Sequence, residues 1–299
     1  VGFIFVSVAV FILVLSGGYF LHIKPILESK ALIKALQMHQ AKAPMDVLIG
    51  EFKRALSYKT FGDTEVREQL ANISRGMPGN AAYKPEEQKL FVELAISELK
   101  KETSIKAKDV KHLIFLAAVL DRAASLNPPY LAEAEKIMYE AINISPTKQM
   151  MYYELAQIYV MAGQFDRAIE TLQKAATLET RDYQPVVNII IVAAASQKLD
   201  VIKEASSKLD LRIVDQDALL RLGSVYLNLK DYSNAKRVYE TLVIDFPKKA
   251  EYRSKLSAIL AELNEADEAI KQAEIAAGLD ASFAPEARQF IEILKQRKK

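Results

Sequence analysis

The stretch "YYELAQIYVMAGQFDRAIETLQKA", Tyr152–Ala175, holds two helical patterns of similar length on either side of a glycine. In the first, Tyr152, Leu155, Ala156 and Tyr159 fall at i, i+3, i+4 and i+7, which gathers them on one apolar helix face. Ala168, Leu172 and Ala175 do the same in the second. Gly163 stands where a helix commonly ends in a left-handed residue, and Phe165 follows to pack the turn. The spacing predicts a helical hairpin. Its small residues, Ala156 and Ala168, sit where two helices must approach closely, with large residues at the neighbouring core positions.

The hairpin recurs. Ala134, in "LAEAEKIMYEAINISP", lies 34 residues before Ala168. Ala235, in "LGSVYLNLKDYSNAKRVYETLVIDFP", lies 67 after it, one short of two periods, and Ala269, in "LSAILAELNEADEAIKQAEIAAGLD", a further 34. A 34-residue period of paired helices is the pattern of a stacked helical solenoid. In this pattern the chain resembles the tetratricopeptide repeat (TPR) family. That motif runs through a large residue, Leu-Gly, a Tyr, Gly-x-Tyr, an Ala, a large residue, an Ala and a closing Pro. Leu219, Leu222, Gly223, Tyr226, Tyr232, Ala235, Tyr239 and Pro247 fill it here, and Pro146 closes the unit before Tyr152. The unit "YQPVVNIIIVAAASQKLDVIKEASSKLD", Tyr183–Asp210, lacks both marker alanines. Its run "VVNIIIVAAA" is too short to cross a bilayer and reads as a helix buried on both sides in mid-solenoid. The last stretch, "SFAPEARQFIEILKQRKK", reads as a closing helix with a polar outer face, and Lys295, Arg297, Lys298 and Lys299 suit the negative end of its dipole.

Composition narrows the class. With 51% hydrophobic and 26% charged residues the 299-residue chain can bury a long core, and with 10 Gly, 10 Pro and no strand-like alternation it reads as all-helical. A net charge of +2, with no basic cluster beyond the C-terminal one, argues against nucleic acid as a partner. The absence of cysteine rules out disulfides, thiol catalysis and cysteine-bound metal.

The N-terminus differs in kind. "VGFIFVSVAVFILVLSGGYFL" carries no charge over 21 residues, roughly 30 Å as a helix, about one bilayer core. Residues 1–23 therefore read as a transmembrane helix, with Tyr19 and Phe20 at the interface and Lys24 with Pro25 ending the span. A secretory signal peptide fits less well, because no basic leader precedes the run and no small-x-small site follows it. A buried soluble helix would rarely avoid polar residues everywhere but Ser7 and Ser16. Residue 1 is Val, which fits either an unusual start codon or a position inside a longer protein.

Between the span and the clear repeats, "KPILESKALIKALQ" and "MDVLIGEFKRALSYKTFGDTEVREQLANIS" read as amphipathic helices. The second is broken at Phe61-Gly62, with Asp63 or Thr64 expected to cap the next helix. "RGMPGNAAYKP", Arg75–Pro85, is the most loop-like segment. The expected organisation is a span over 1–23, a TPR-like helical section over 24–75, a loop or hinge over 76–85, a TPR solenoid over 86–281 and a capping helix over 282–299. The fold class is thus all-α: an N-terminal transmembrane helix, then a right-handed α-solenoid of TPR hairpins, then a cap.

"EFKRALSYKTFGDTEVREQL", with the span before it and "AINISPTKQMMYYELAQIYVMAG" after it, resembles the C-terminal part of bacterial O-antigen ligase or polymerase-like membrane proteins. In those proteins a final span leads into a TPR tail. The resemblance implies an extracytoplasmic tail without catalytic residues of its own, the glycan chemistry lying in a membrane portion that precedes it. Lys24, Lys30 and Lys34 against Glu28 point weakly the other way, to a cytoplasmic side.

Other chemistry is thinly represented. His22, His39 and His112 have no i, i+4 partners and read as membrane-edge or helix-surface residues, not as metal ligands. No glycine-rich phosphate loop occurs, and the 38 carboxylates read as solvated charges on polar helix faces, although a pair for glycan chemistry could sit among them. Neither a cofactor nor an enzymatic activity of this chain is expected. A binding face is better defined. First helices of successive TPR hairpins line a concave groove, whose residues here would be Met150, Tyr153, Gln157 and Met161 in one unit and Leu220, Arg221 and Ser224 in another. Tyr153 and Leu220 stand where the family's carboxylate clamp has a lysine, so the expected occupant is an extended peptide or a neighbouring protein.

Overall fold

The computed structural model describes residues 2–297; Val1, Lys298 and Lys299 lie outside the described residues, and with them part of the terminal-charge reading. Every regular element among the described residues is helical. The chain forms two compact units, residues 1–162 and 163–299.

In the first unit, α1 (Gly2–Gly18) runs through a π-helical turn at Tyr19–Ile23 into α2 (Lys24–Gln40) without leaving helical backbone angles. Pro25 explains the turn. It has no N–H, and its ring crowds the carbonyl four residues back. The helix absorbs this by shifting register, so that the Lys24 N–H bonds the Tyr19 carbonyl five residues back. Lys24 and Pro25 were expected to close the apolar span, yet the helix itself continues. Val10–Leu15 are more than half exposed, and among the described residues this helix is the one long and apolar enough to cross a membrane.

Helix α2 packs on α3 (Met45–Ser57). Then follow α4 (Asp63–Arg75), α5 (Pro85–Ile105), α6 (Val110–Ala123), α7 (Tyr130–Ile144) and α8 (Gln149–Met161), each packed on its predecessor. Short connections make successive helices antiparallel. Leu48, Phe52, Leu70, Phe91, Leu99, Leu120 and Met138 are fully enclosed, with Phe52 and Phe91 edge to face at 5.7 Å. The cap of α4 corrects the sequence reading. Gly62, not Asp63 or Thr64, is the N-cap, and Asp63 is already helical. A Cβ on Gly62 would lie 2.6 Å from Oε2 of Glu28 on α2, so a side chain there would push that carboxylate aside. The segment 76–84 is tied down by Gln88, which accepts from the Gly79 N–H and donates to the Asn80 and Tyr83 carbonyls, while Met77 is wholly buried beneath it.

The second unit contains α9 (Phe165–Leu178), α10 (Gln184–Ala195), α11 (Leu199–Lys208), α12 (Gln216–Asn228), α13 (Tyr232–Asp245), α14 (Ala250–Glu262), α15 (Ala266–Leu279) and α16 (Ala284–Arg297). Its repeat is visible in the backbone. Gly163, Gln197, Lys230 and Asn264 all adopt positive φ, at 70°, 57°, 55° and 62°, in successive turns 34, 33 and 34 residues apart. The missing residue of the sequence period falls between Gln197 and Lys230, where α11 has 10 residues against 14 in α9, α13 and α15. Aligned on these turns, Ile190 and Ile202 occupy the marker positions of the weak unit, and both are buried. Bulk on both helices there replaces the small pair found elsewhere.

Where the small residues remain, the helices touch closely. Ser257 of α14 donates to the Ala269 carbonyl of α15 at 2.6 Å. A Cβ on Gly223 would meet Tyr239 Cε2 at 2.9 Å. Gly223→Ala is therefore expected to destabilise the second unit by about 1–3 kcal/mol, the usual effect of overpacking. A urea melt unchanged within 0.5 kcal/mol (~ the spread of neutral surface changes) would show that Tyr239 swings aside. The last helix, α16, turns Ala287, Ile291 and Leu294 inward, and Ala287 and Ile291 close the apolar edge left by Ala273 of α15. Arg288, Gln289 and Glu292 face outward.

Candidate partner-binding face

Within the first unit, Met150, Tyr153, Gln157 and Met161 follow one another along one side of α8. Met150 and Met161 are 55% and 46% exposed, and Tyr153 and Gln157 are half-buried between them. Within the second unit, Arg221 and Ser224 are exposed on α12 and Leu220 is half-buried beside them. The structure thus gathers each set on one helix face of its own unit. Extending the same register by 34 residues reaches Ser254 and Ala258 of α14, positions that the sequence reading did not include although the period alone points to them.

The helices that carry these residues are fixed by polar rungs to their predecessors. Tyr159 of α8 meets the Tyr139 hydroxyl of α7 at 2.6 Å, and Tyr226 of α12 meets the Ser206 hydroxyl of α11 at 2.6 Å, each 20 residues back. The apolar ring is buried and its hydroxyl finds a partner on the neighbouring hairpin, so one side chain both packs and sets rotation. A second recurring bond holds the closing prolines: Tyr152 donates to the Pro146 carbonyl at 2.7 Å and Arg253 to the Pro247 carbonyl at 3.1 Å. Asp215 caps α12 by accepting from the Ala218 N–H at 2.8 Å and also accepts from the Tyr183 hydroxyl. These bonds, with Arg221 nearby, hold its carboxyl below the usual range.

Two carboxyls, one on α6 and one on α8, are perturbed by burial. Asp121 of α6 is 2% exposed, its Oδ1 has no hydrogen-bond partner, and burial pushes its pKa up to about 6 against the pull of Arg122 and Arg75. Glu154 of α8 is raised for the same reason, burial outweighing Arg75 and Arg122.

A larger polar cluster joins α4, α5 and α6. Arg67 donates to Glu102 at 2.5 Å and Glu98 at 3.3 Å, and lies 3.7 Å from Asp63. Glu102 also accepts from Thr64 at 2.8 Å and pairs with Lys106 at 2.7 Å. His112 is 2% exposed, with Nδ1 2.8 Å from Asp109 and Nε2 3.5 Å from Glu68, so it is not the helix-surface residue that its sequence context suggested. The view of the carboxylates as solvated charges fails for Glu28, Glu98, Glu102 and Asp121, all buried. A helical wheel records which face a residue lies on, not whether a further helix covers that face. His39 is half-buried and His22 is exposed.

Residues 131–184 match one tetratricopeptide repeat model and residues 217–249 match another. Among solved structures, the C-terminal part of a TPR repeat-containing protein from Cytophaga hutchinsonii is similar over 78% of this chain and 89% of its own, at 14% identity and a TM-score of 0.54. A tetratricopeptide repeat protein from Parabacteroides merdae is similar over 90% and 99%, at 11% identity and a TM-score of 0.49. YrrB, described as a TPR protein with an unusual peptide-binding site, is similar over 64% and 97%, at 16% identity and a TM-score of 0.43. No curated protein matches the chain by sequence. At such identities the likeness is one of fold: the chain is a TPR-type helical solenoid preceded by an apolar helix.

Proposed function

We propose that this protein is a membrane-anchored TPR scaffold that recruits a protein partner through the exposed faces of its first helices. The observation that carries the proposal is the continuity of the chain. One helical path leads from the apolar segment through the π turn into α2, so the anchor and the first packed helix move together. The groove residues supply the second half: exposed Met150 and Met161 are adaptable apolar contacts, and Arg221 and Ser224 add polar ones.

The finer reading is an extracytoplasmic accessory tail of an O-antigen ligase or polymerase-like machine. It is supported by the phrases around Glu51–Leu70 and Ala141–Gly163 together with the apolar helix ahead of them. Catalysis on glycan would then belong to membrane segments outside these residues, and this chain would recruit or regulate.

The test is photo-crosslinking from Gln157 and Ser224 in the full chain in its native membrane, with Lys203 and Glu274, on other helix faces, as controls. Adducts with one discrete protein from the first pair alone are expected, in a fraction that resists carbonate extraction. Equal labelling from all four positions, or release of the protein by carbonate, would overturn the scaffold or the anchor respectively.

A further inference from the structure

Between α14, α15 and α16 lies a cavity of about 140 Å³ that opens to solvent. Ser254 and Ala258 of α14 form one side, Ala276 of α15 the floor, and Phe283 of the turn before α16, with Glu286 and Phe290 of α16, the other side. Its walls are mostly apolar for identifiable reasons. The Ser257 hydroxyl, which could have made the back wall polar, is turned to the Ala269 carbonyl at 2.6 Å. Small residues at 254, 258, 273 and 276 leave the space, and the two phenylalanines wall it without filling it. An apolar cavity of about 150 Å³ is known to take a benzene ring, so this one is of the size to take one large apolar side chain.

Ser254 and Ala258 stand in the register of Leu220 and Ser224, so the slot opens on the face assigned above to partner binding. At its mouth is Glu286, exposed, in the first turn of α16. Among the described residues no cation pairs with it and no donor bonds it. A half-open apolar space beside an unpaired negative charge is complementary to an apolar group with a cation next to it.

We infer that this slot is an anchor site for a partner peptide that inserts a phenylalanine or leucine side chain between α14 and α16 and sets an adjacent lysine or arginine against Glu286. The inference rests on the partner-binding reading of this face and adds to it a location and a sequence preference. The remaining occupant chemistries, an acidic or a wholly apolar segment, lack the match to Glu286.

The test uses the full chain in nanodiscs with alanine methyl groups labelled for NMR. The probes are the peptides acetyl-Ala-Phe-Lys-Ala-amide and acetyl-Ala-Phe-Glu-Ala-amide, with 2-phenylethylammonium and 2-phenylethanol as side-chain-sized probes. The lysine peptide and the ammonium are expected to shift the methyl signals of Ala258 and Ala276, and to bind about threefold to fivefold more tightly than their acidic and neutral counterparts. Glu286→Gln should abolish that preference while leaving the shifts. Ala258→Phe should abolish the Ala276 shift by filling the slot, and Ser254→Leu should abolish both shifts from a second position should the first variant fail to fold. Shifts that persist in both filled variants, or no shift in the wild type, would overturn the slot. Equal binding of lysine and glutamate peptides would overturn the role of Glu286. Crosslinking from Gln157 and Ser224 is read separately, so a failed slot with intact crosslinks leaves the scaffold standing.

Discussion

Replacing Arg67 with alanine lowers the opening free energy of α4–α6 by about 3 kcal/mol, the lower end for breaking a buried pair, because buried Glu102 and Glu98 lose the cation they share and keep only the more exposed Lys106 and Lys101. Hydrogen exchange on the full chain is the suitable measurement, since it resolves helices of one unit without requiring the two units to unfold together. Amides of α4, α5 and α6 should lose protection while those of α12–α15 keep theirs. Arg67→Met tests a different point. It restores some packing but not the charge, so it should recover less than half of the loss; full recovery would mean that the arginine acts through its aliphatic stem.

The same cluster sets an acid limit. Burial alone would raise the Glu102 pKa, but hydrogen bonds from Lys106, Thr64 and Arg67, with the Arg67 charge, outweigh it and bring it to about 2, below the ordinary 4.5. A depressed folded-state pKa means that the stabilisation is present above the unfolded value and is lost as pH falls through the folded one. The first unit should therefore weaken between about pH 4.5 and 2. In Arg67→Ala the weakening should start at higher pH, because one of the groups that lowers the pKa is gone.

Asp121→Asn has the opposite sign. The Asp121 pKa is raised by burial from 3.8 to about 6, against the partial relief of Arg122 and Arg75 and with Glu154 adding repulsion. Its protonated form suits the folded state. This contribution is intact below pH 3.8 and is lost progressively as pH rises through about 6. At about 1.4 kcal/mol for each pH unit of the shift, the ionised carboxylate destabilises the first unit by about 3 kcal/mol at pH 8. The asparagine variant keeps the shape without the charge, so protection of α6 and α8 should rise by about 2–3 kcal/mol at pH 8 and by little at pH 4. A gain of equal size at both pH values would place the effect in packing and not in ionisation.

Much of the fold was legible in the sequence because its signals are local. The 34-residue period, Gly163 at a left-handed turn and Pro146 and Pro247 at unit ends all report backbone geometry that a single hairpin imposes on itself. The weak unit was harder to read. Its turn residue is Gln197 rather than glycine, and its close-approach positions are Ile190 and Ile202, so its residue types hide a backbone that repeats as before. That the α8 set and the α12 set each share one helix face followed from register alone, and Ser254 and Ala258 could have been added by the same step. Phe283, in the short turn before α16, and Glu286 and Phe290 of α16 could not, because neither that turn nor α16 carries a repeat to count from.

By itself the sequence determined the helical class, the hairpin period, the apolar first helix and the faces that first helices present. Each depends on side chains a few residues apart on one helix, within reach of periodicity. Only the tertiary structure decided that Arg67, Glu98, Glu102 and His112 share one buried cluster, that Asp121 Oδ1 is buried without a hydrogen-bond partner, and that α16 leaves a slot against α14. These depend on which third helix covers a polar face and how closely it packs. That is a property of contacts between residues 30 or more positions apart in several of these pairs, such as Arg67 with Glu98 and Ser254 with Glu286, and no local pattern encodes it.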